Sequence, residues 1–408
     1  MTKQAINLPE HNMCSGCGAC IEACPKQAIS FIKDELDAVY PHIDEDKCVK
    51  CGRCQQVCHI NTDFFYPQTD IVYAGWSCNE AVRKSSASGG MASAIYVYAL
   101  SHGYKCYGVA ISGNGKAEYI ELTSMGDIAK ARNSKYLYSY TGRVYSNIRK
   151  QLSSGEKVVF IGLPCQVAGL ISFLGNRDDN LILVDIICHG TCPEDYLKQH
   201  INSHYDNIDE VLFRDPGFGT NQFVFSMYKD KKRVYSSIVH GTDVYQLGYH
   251  EALIYRENCF HCKYAQPRRV GDITISDFSG LGKIDDWNLP RGDISCVLCS
   301  SQVGQGLLSD LVALREITLL SRPAEEAFQY EKQLSAPSIQ HPLRSAFVES
   351  YKKNRDFETS MKKILKSEIK HNRLRMIFKV DETKRMMRKI VPAGLKKQIK
   401  RMLGKENG

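Results

Sequence analysis

Apolar positions along the chain come in short runs broken by glycine and polar turns, the pattern of a fold that mixes strands with helices. Ile71–Cys78 and Tyr104–Ile111 read as strands, with Gly90–His102 as a helix between them. The segment KVVFIGLPCQVAGLISFLG reads as strand, sharp turn and helix. NLILVDIICHGTCPEDYLKQHI repeats that design, its helix starting near Pro193. Asp272–Asp277 predicts another strand and DISCVLCSS a buried apolar one, while ISFIKDELDAVYPHID reads as strand, acidic turn and strand. No apolar run reaches the length of about 18 residues that a membrane-spanning helix needs.

Seventeen cysteines in 408 residues are too few for a small disulfide scaffold. Their grouping into CxxC triplets suits metal ligation in a reducing compartment. The opening MTKQAINLPEHN lacks the basic start and apolar core of a secretory signal, so a cytoplasmic protein is expected. Cys14, Cys17, Cys20 and Cys24, followed by Pro25, reproduce the Cys-x2-Cys-x2-Cys-x3-Cys-Pro run of bacterial ferredoxins. Cys48, Cys51, Cys54 and Cys58 repeat the spacing, with His59 where proline is usual. In two-cluster ferredoxins the fourth cysteine of each run serves the other cluster. That rule assigns Cys14, Cys17, Cys20 and Cys58 to one 4Fe-4S cluster and Cys48, Cys51, Cys54 and Cys24 to the second. Ser15, Gly16, Gly18, Ala19 and Gly52 are small enough to let the loops wrap a cluster. Structural zinc on CxxC pairs would show isolated pairs with longer separations.

Further along, Cys165 sits at a strand-to-helix turn and Cys188 where the next strand ends. If those strands are parallel neighbours, both thiols lie at the carboxyl edge of one sheet, where open α/β folds bind ligands. Cys259 and Cys262 in NCFHCKYA complete four thiols for a third site. The loop Ser85–Gly90, SSASGG, opens into a helix and reads equally as an anion site or as a plain serine cap. Neither a Walker A run nor a G-x-G-x-x-G after a strand is present, which counts against phosphate-loop hydrolysis and a dinucleotide Rossmann site.

Six motifs then follow one another in a recognisable order: SGG at Ser88–Gly90, SKY at Ser134–Tyr136, GLPCQVAGL at Gly162–Leu170, CHG at Cys188–Gly190, CFHC at Cys259–Cys262 and GDITISDFSG at Gly271–Gly280. From about residue 70 to 340 the chain resembles the family of beta subunits of coenzyme F420 hydrogenases and dehydrogenases, which includes bacterial members in glycan gene clusters. The resemblance implies bound FAD and a further 4Fe-4S cluster on Cys165, Cys188, Cys259 and Cys262. It also implies a flavin pocket that includes Ser88, Gly89, Gly90, Ser134, Lys135 and Tyr136, with Ser88–Gly90 as the phosphate cradle. Lys135 is the first candidate for a catalytic acid. Family members often read GDFWG where this chain has SDFSG, with Ser276 and Ser279. Asp272 and Asp277 are either solvated strand-end carboxylates or part of a flavin or substrate site. Of the remaining cysteines, Cys78, Cys106, Cys192, Cys296 and Cys299, the last two read as small hydrophobes in a strand. Cys192 reads as a helix-start residue, and His59, His189 and His261 as hydrogen-bonding neighbours of cluster cysteines.

The expectation is an α+β chain of three parts. Residues 1–65 form a bacterial-type 2x4Fe-4S ferredoxin module. An α/β flavin and iron-sulfur domain follows, its N-terminal part at 70–150 and its C-terminal part, with the third cluster, at 151–340. A basic helical tail occupies 341–408. Such a chain is expected to relay electrons between a low-potential donor or redox partner protein and FAD with a small-molecule substrate, in either direction, in a setting such as glycan or polysaccharide biosynthesis. The alternative is a non-enzymatic electron-transfer subunit of a hydrogenase or dehydrogenase complex. The net charge of +8 belongs to the end of the chain, since Met361–Gly408 holds 16 Lys and Arg against 4 Asp and Glu. Basic amphipathic helices of that kind either lie against the inner face of a membrane or form a solvated extension. Aromatic interleaving is sparse, so nucleic acid is not an expected partner.

Overall fold

The computed structural model describes residues 6–219, 222–289 and 292–378. Near the N-terminus, strands Ile29–Lys33 and Val39–Ile43 pair antiparallel, with Ile29 opposite Ile43. Asp34 closes their turn, its Oδ1 accepting from the backbone N–H groups of Leu36 and Ala38 at 2.9 Å each. Two short helices, Ala19–Ala23 and Arg53–Gln56, each start after a glycine in the left-handed region, Gly18 at φ 83° and Gly52 at φ 75°. A residue with a side chain is strained in that conformation, so these two glycines are what let each cysteine loop turn directly into a helix.

Among the described residues nine strands form the central sheet. Its middle is parallel: Ile273–Asp277, Leu181–Ile186, Val158–Gly162 and Lys105–Ile111 lie side by side. Antiparallel strands flank them, Ser295–Cys299, Val72–Ser77 and Ile317–Arg322 on one side and Ala117–Leu122 on the other, with Ser139–Tyr140 beyond it. Val158–Gly162 is buried along its whole length, as expected of a strand covered on both faces. Helices Met91–Ser101 and Pro164–Leu174 supply part of that cover, and most of their residues are buried. Strands from residues before and after 150 thus share one sheet, and the two parts expected of this domain fold as one layer.

A second core lies beside the sheet. Three antiparallel strands, Glu210–Leu212, Phe225–Lys229 and Lys232–Ser237, accompany helices Glu194–His204 and Val244–His250. Aromatic side chains fill it, including Tyr196, Phe213, Phe225 and Tyr245. Here the structure departs from the expected boundary at 341. Helices Arg344–Asn354 and Phe357–Ile364 insert Phe347, Tyr351, Phe357 and Met361 into this core with no exposure at all. Lys352, Lys353, Lys362 and Lys363 are exposed on these two helices, and charge counting sees that outer face alone. The rest of the predicted tail, residues 379–408, lies outside the described residues. No helix among the described residues is long and apolar enough to cross a membrane.

The N-terminal module is locked to both cores. Asp37 accepts from Tyr351 and Arg355, Tyr196 donates to the Leu36 carbonyl at 2.8 Å, and Lys33 pairs with Asp195 at 2.7 Å. On the other side Glu22 takes the free N–H groups of Tyr145 and Ser146, at 3.3 and 2.7 Å, at the start of helix Val144–Ser153. A carboxylate at that end also complements the helix dipole.

One charged cluster inside the second core makes stability depend on pH. His200 is fully buried, with Asp243 on Nε2 at 3.0 Å and Glu358 on Nδ1. Burial works against the imidazolium, but the two carboxylates hold its pKa up at about 9. Burial likewise opposes the charge of Asp243, yet His200 brings its pKa down to about 2. The histidine contribution is therefore complete below its unfolded pKa of about 6.5 and is lost as pH rises through about 9. That of Asp243 is present above about 3.9 and is lost as pH falls through about 2. We expect the thermal midpoint to fall on the alkaline side between these limits, and His200→Gln to remove that alkaline slope while costing about 3–5 kcal/mol at neutral pH. Thermal melts across pH check this; an unchanged alkaline slope in the variant contradicts it.

Candidate functional site

The eight N-terminal cysteines gather into two crossed groups. The charges of Cys14 and Cys58 bear on Cys17, and those of Cys17, Cys14 and Cys58 on Cys20, so these four surround one point. Cys24, Cys48, Cys51 and Cys54 line a second, small cavity together with Pro25 and Gly52. Cys51 is exposed, which places this second group at the surface, whereas burial pushes the Cys17 thiol up to about 12. The two groups adjoin where Cys54 bears on Cys20.

A third set of thiols converges from three elements distant in sequence. Strand Val158–Gly162 ends just before helix Pro164–Leu174, which carries Cys165 in its first turn. Its parallel neighbour Leu181–Ile186 ends two residues before Cys188. The short turn Glu257–His261 and the residue after it bring Cys259 and Cys262. All four thiols line one small pocket, and the charges of the other three raise Cys165 further beyond what burial does. Burial also pushes Cys262 up to about 11 and Cys188 higher still. Thiols held this close can ionise together only around a strongly positive centre. The surroundings fit such a thiolate-bound group. The Thr191 N–H donates to Cys259 Sγ at 3.4 Å, and the buried guanidinium of Arg256 has Nε and Nη1 without acceptors while its charge bears on Cys259 and Cys14.

This third set adjoins the first. The Cβ of any residue replacing Gly169, on helix Pro164–Leu174, would lie 2.9 Å from Cys17 Sγ, and the charge of Cys17 bears on Cys165. Above both, His59 joins Ser15 through Nε2 at 2.9 Å and the hydroxyl of Tyr264 through Nδ1. Burial, with Lys263 nearby, takes His59 down to about 3, so the ring is a neutral bridge between the two loops. Among the other flanking histidines, His189 lines the pocket, and His261 is exposed beside Glu257 at 3.8 Å.

A cavity of about 960 Å³ opens on the far side of the third set. Cys188, His189, Gly190 and Thr191 line the thiol pocket and this cavity alike. Ser88, Gly90, Ser134, Lys135 and Tyr136 belong to its wall. Gly89 is instead buried in the support behind that wall. Its N–H donates to Ser295 Oγ at 3.0 Å, its carbonyl accepts from Ser77 at 2.7 Å, and a Cβ there would collide with the Gly75 carbonyl. At the upper end of the size range of cofactor pockets, with hydroxyls and the N-terminus of helix Met91–Ser101 on one side, the cavity suits a flavin nucleotide.

Lys135 has a different place from that of a proton donor. Its Nζ donates to the carbonyls of Ala131, Arg132 and Asn133 at 2.7, 2.6 and 3.1 Å, closing the end of helix Met125–Ala131. Burial brings its pKa down to about 7, but all three protons of the ammonium are engaged by the backbone. The two aspartates also separate. Asp272 accepts from Tyr66, Ser301 and the Leu183 N–H and serves as a strut within the sheet. Asp277 lines the cavity and takes both carboxylate contacts of Arg214, at 2.7 and 3.0 Å. Ser276 and Ser279 stand in the same wall. Cys296 and Cys299 are buried within their strand, and Cys192 contacts the Tyr245 hydroxyl at 3.1 Å outside the thiol pocket. Sequence reading passed over Arg256, Tyr264, Arg214 and the pair Arg269–Asp185, closed at 3.1 Å. Arg256, Tyr264 and Arg269 stand beside CFHC or GDITISDFSG and Asp185 stands beside CHG, whereas Arg214 is near none of the motifs.

The chain is similar to known proteins along most of its length. Residues 155–324 match the family model for the C terminus of the coenzyme F420 hydrogenase/dehydrogenase beta subunit, and residues 72–145 match the model for its N terminus. Residues 13–62 match a 4Fe-4S dicluster domain. The chain is 23% identical over 301 residues to the F subunit of the F(420)H(2) dehydrogenase of Methanosarcina mazei, covering 71% of this chain and 81% of that protein. It is 26% identical over 241 residues to a coenzyme F420-dependent sulfite reductase of Methanocaldococcus jannaschii, covering 50% of this chain and 35% of that protein. Among solved structures, a chain of the F420-reducing NiFe hydrogenase complex of Methanosarcina barkeri aligns at 18% identity with a TM-score of 0.40, covering 74% of this chain and 91% of that one.

The contact at Gly169 yields a prediction. In Gly169→Ala the new methyl meets Cys17 Sγ at 2.9 Å and the Tyr145 hydroxyl at 3.1 Å, so the Cys17 loop has to move away. Overpacking of this kind costs about 1–3 kcal/mol. We expect a lower denaturation midpoint and faster loss of iron from the N-terminal module to a chelator; wild-type values of both would refute the contact.

Proposed function

From membership of the family of coenzyme F420 hydrogenase/dehydrogenase beta subunits, to which this chain belongs, we propose that it is an iron-sulfur flavoprotein relaying electrons between a redox partner and a small molecule in the large cavity. The observation that carries the reading is the unbroken order of sites. Cys51 stands at the surface, Cys54 adjoins Cys20, Cys17 adjoins the helix of Cys165, and the segment from Cys188 to Thr191 is wall to both the third thiol set and the cavity. When bound, 4Fe-4S clusters exchange single electrons and a flavin exchanges pairs with organic molecules while accepting them singly.

The roles of the chain's own residues follow from their placement. Cys14, Cys17, Cys20 and Cys58 would hold one cluster, Cys48, Cys51, Cys54 and Cys24 another, and Cys165, Cys188, Cys259 and Cys262 the third. For FAD, Ser88 and Gly90 at the mouth of helix Met91–Ser101 would face the phosphates. Arg132, also in the wall, is held ready by Ser85 Oγ at 2.6 Å and Ser93 Oγ at 3.2 Å. Gly89 shapes that cradle from behind, and Lys135 fixes the loop that presents Ser134 and Tyr136. Tyr264 and His59 close the space between the first and third sites to water. The Arg214–Asp277 pair, with Phe223 and His250 beside it, furnishes the end of the cavity left for substrate.

A second reading draws on the name of one relative, which is a subunit of a dehydrogenase. Here the chain passes electrons to a partner that holds the substrate site, and the cavity serves the flavin alone. The setting in glycan assembly rests on the sequence resemblance, and a membrane contact rests on the basic stretch Met361–Gly408, of which residues 379–408 lie outside the described residues.

Anaerobic purification with iron, sulfide and flavin quantitation tests the proposal. We expect about twelve iron atoms and one FAD per chain, with Cys188→Ser losing about four irons and Cys192→Ser none. About eight irons and no flavin would sink both the third cluster and the flavoprotein. Reduction of an added small-molecule acceptor by the isolated protein favours the first reading; electron exchange with a protein partner alone favours the second.

A further inference from the structure

Four arginines are buried among the described residues, and three of them face a carboxylate: Arg214 faces Asp277, Arg269 faces Asp185 and Arg344 faces Glu257. Arg256, only 2% exposed, faces none. Its guanidinium lies 5.0 Å from the ring centre of Tyr40 and 4.5 Å from that of Tyr138. Nη2 donates to the Val39 carbonyl at 2.9 Å, while Nε and Nη1 have no acceptor. A buried cation is costly unless an anion answers it, and no carboxylate does so here.

The position of this cation is specific. It presses on the loop of the first cysteine group, since a Cβ on Gly16 would come within 2.9 Å of Nη2. Its backbone belongs to the third: its N–H donates to Thr191 at 2.8 Å and its carbonyl accepts from Cys259 at 3.0 Å. Burial opposes its charge, yet the groups that hold it up are Tyr40, Tyr138, Cys259 and Cys14, with one thiol from each site. Arg269 also bears on the third site, but Asp185 already answers its charge.

We propose that Arg256 is the shared counter-charge of the first and third cluster sites, a positioning residue that raises the reduction potentials of both together and keeps neighbouring steps of the relay matched. The inference rests on the three-cluster reading above. One-electron reduction makes a thiolate-bound cluster more negative, and a fixed positive charge in a low-dielectric space favours that state at either neighbour. None of Cys24, Cys48, Cys51 and Cys54 is among the groups that hold up the Arg256 charge, and their surface site serves as an internal reference.

The test uses the full chain, purified anaerobically, as wild type, Arg256→Gln and Arg256→Lys. Iron is quantified, and each cluster is titrated with dithionite and mediators under electron paramagnetic resonance. We expect Arg256→Gln to keep its iron and to shift the reduction equilibrium of two clusters about tenfold toward the oxidised form, equal to 59 mV for one electron. The surface cluster should hold its potential, and Arg256→Lys should restore most of the shift. Arg256→Met, whose side chain fills the space between the tyrosines, carries the same test if the glutamine variant loses iron. Full iron with no potential change in the neutral variants, or an equal change in all three clusters, overturns the inference. Wild-type iron near eight overturns the three-cluster reading itself, and the inference with it.

Discussion

The contact between the Cys17 loop and the bare backbone at Gly169 is the constraint on which the rest of the site depends. Helix Pro164–Leu174 carries Cys165 at its start and Gly169 one turn later, on the side facing the N-terminal module. Because a helix is stiff at this scale, the absence of a side chain at 169 sets how near the first and third cysteine groups approach. The ties of Glu22 to the start of the Val144–Ser153 helix and of Asp37 to Arg355 act at a distance from the thiols and fix orientation. Those ties would hold a module at any separation; the glycine makes the separation short.

How much of this the sequence discloses depends on whether a feature is local. The two N-terminal groups of four cysteines are legible because both draw their thiols from two short loops, so spacing alone encodes them. The third set is legible less directly. Cys165 and Cys188 become neighbours only because two strand-helix units lie parallel and adjacent, which periodicity could suggest, while the arrival of Cys259 and Cys262 had to be inferred from cysteine supply. Arg256 and Tyr264 carry no spacing signature, since what defines them is burial. Lys135 shows what sequence leaves out: it stands in the cavity wall, but its ammonium also donates to the carbonyls of its own helix end, which no motif reveals. The basic C-terminal region misled similarly, because charge marks the solvent face of helices whose other face, with Phe347 and Phe357, completes a core.

Electrostatics divides the buried charges into two kinds. Arg269 with Asp185 and His200 with Asp243 and Glu358 are closed groups, neutralised within the protein, and they hold elements together whatever is bound. Arg256 is open: its charge is answered only by tyrosines and thiols. A fold tolerates an open buried cation when a bound group completes it, so the same side chain is a burden on the empty protein and a support for the loaded one. Assembly of the metal sites and consolidation of the fold are thus coupled at that point.

The wall from Cys188 to Thr191 gives the architecture its direction. It is a single stretch of chain, with the thiol of Cys188 and its flanking backbone facing one pocket and the large cavity in turn. That shared wall sets the thiol pocket directly beside the cavity, and it arises simply because strand Leu181–Ile186 ends there. The same strand edge places Asp277 and Ser276 across the cavity, on the neighbouring strand Ile273–Asp277. That is where this chain departs from the family's usual residues, reading SDFSG in place of GDFWG. Where that family motif has tryptophan, the Ser279 side chain lines the cavity and hydrogen-bonds Glu331 at 3.0 Å. The wall of the cavity therefore combines the family's common motifs at Ser88–Gly90, Ser134–Tyr136 and Cys188–Gly190 with a segment, SDFSG, that differs from the family's usual residues.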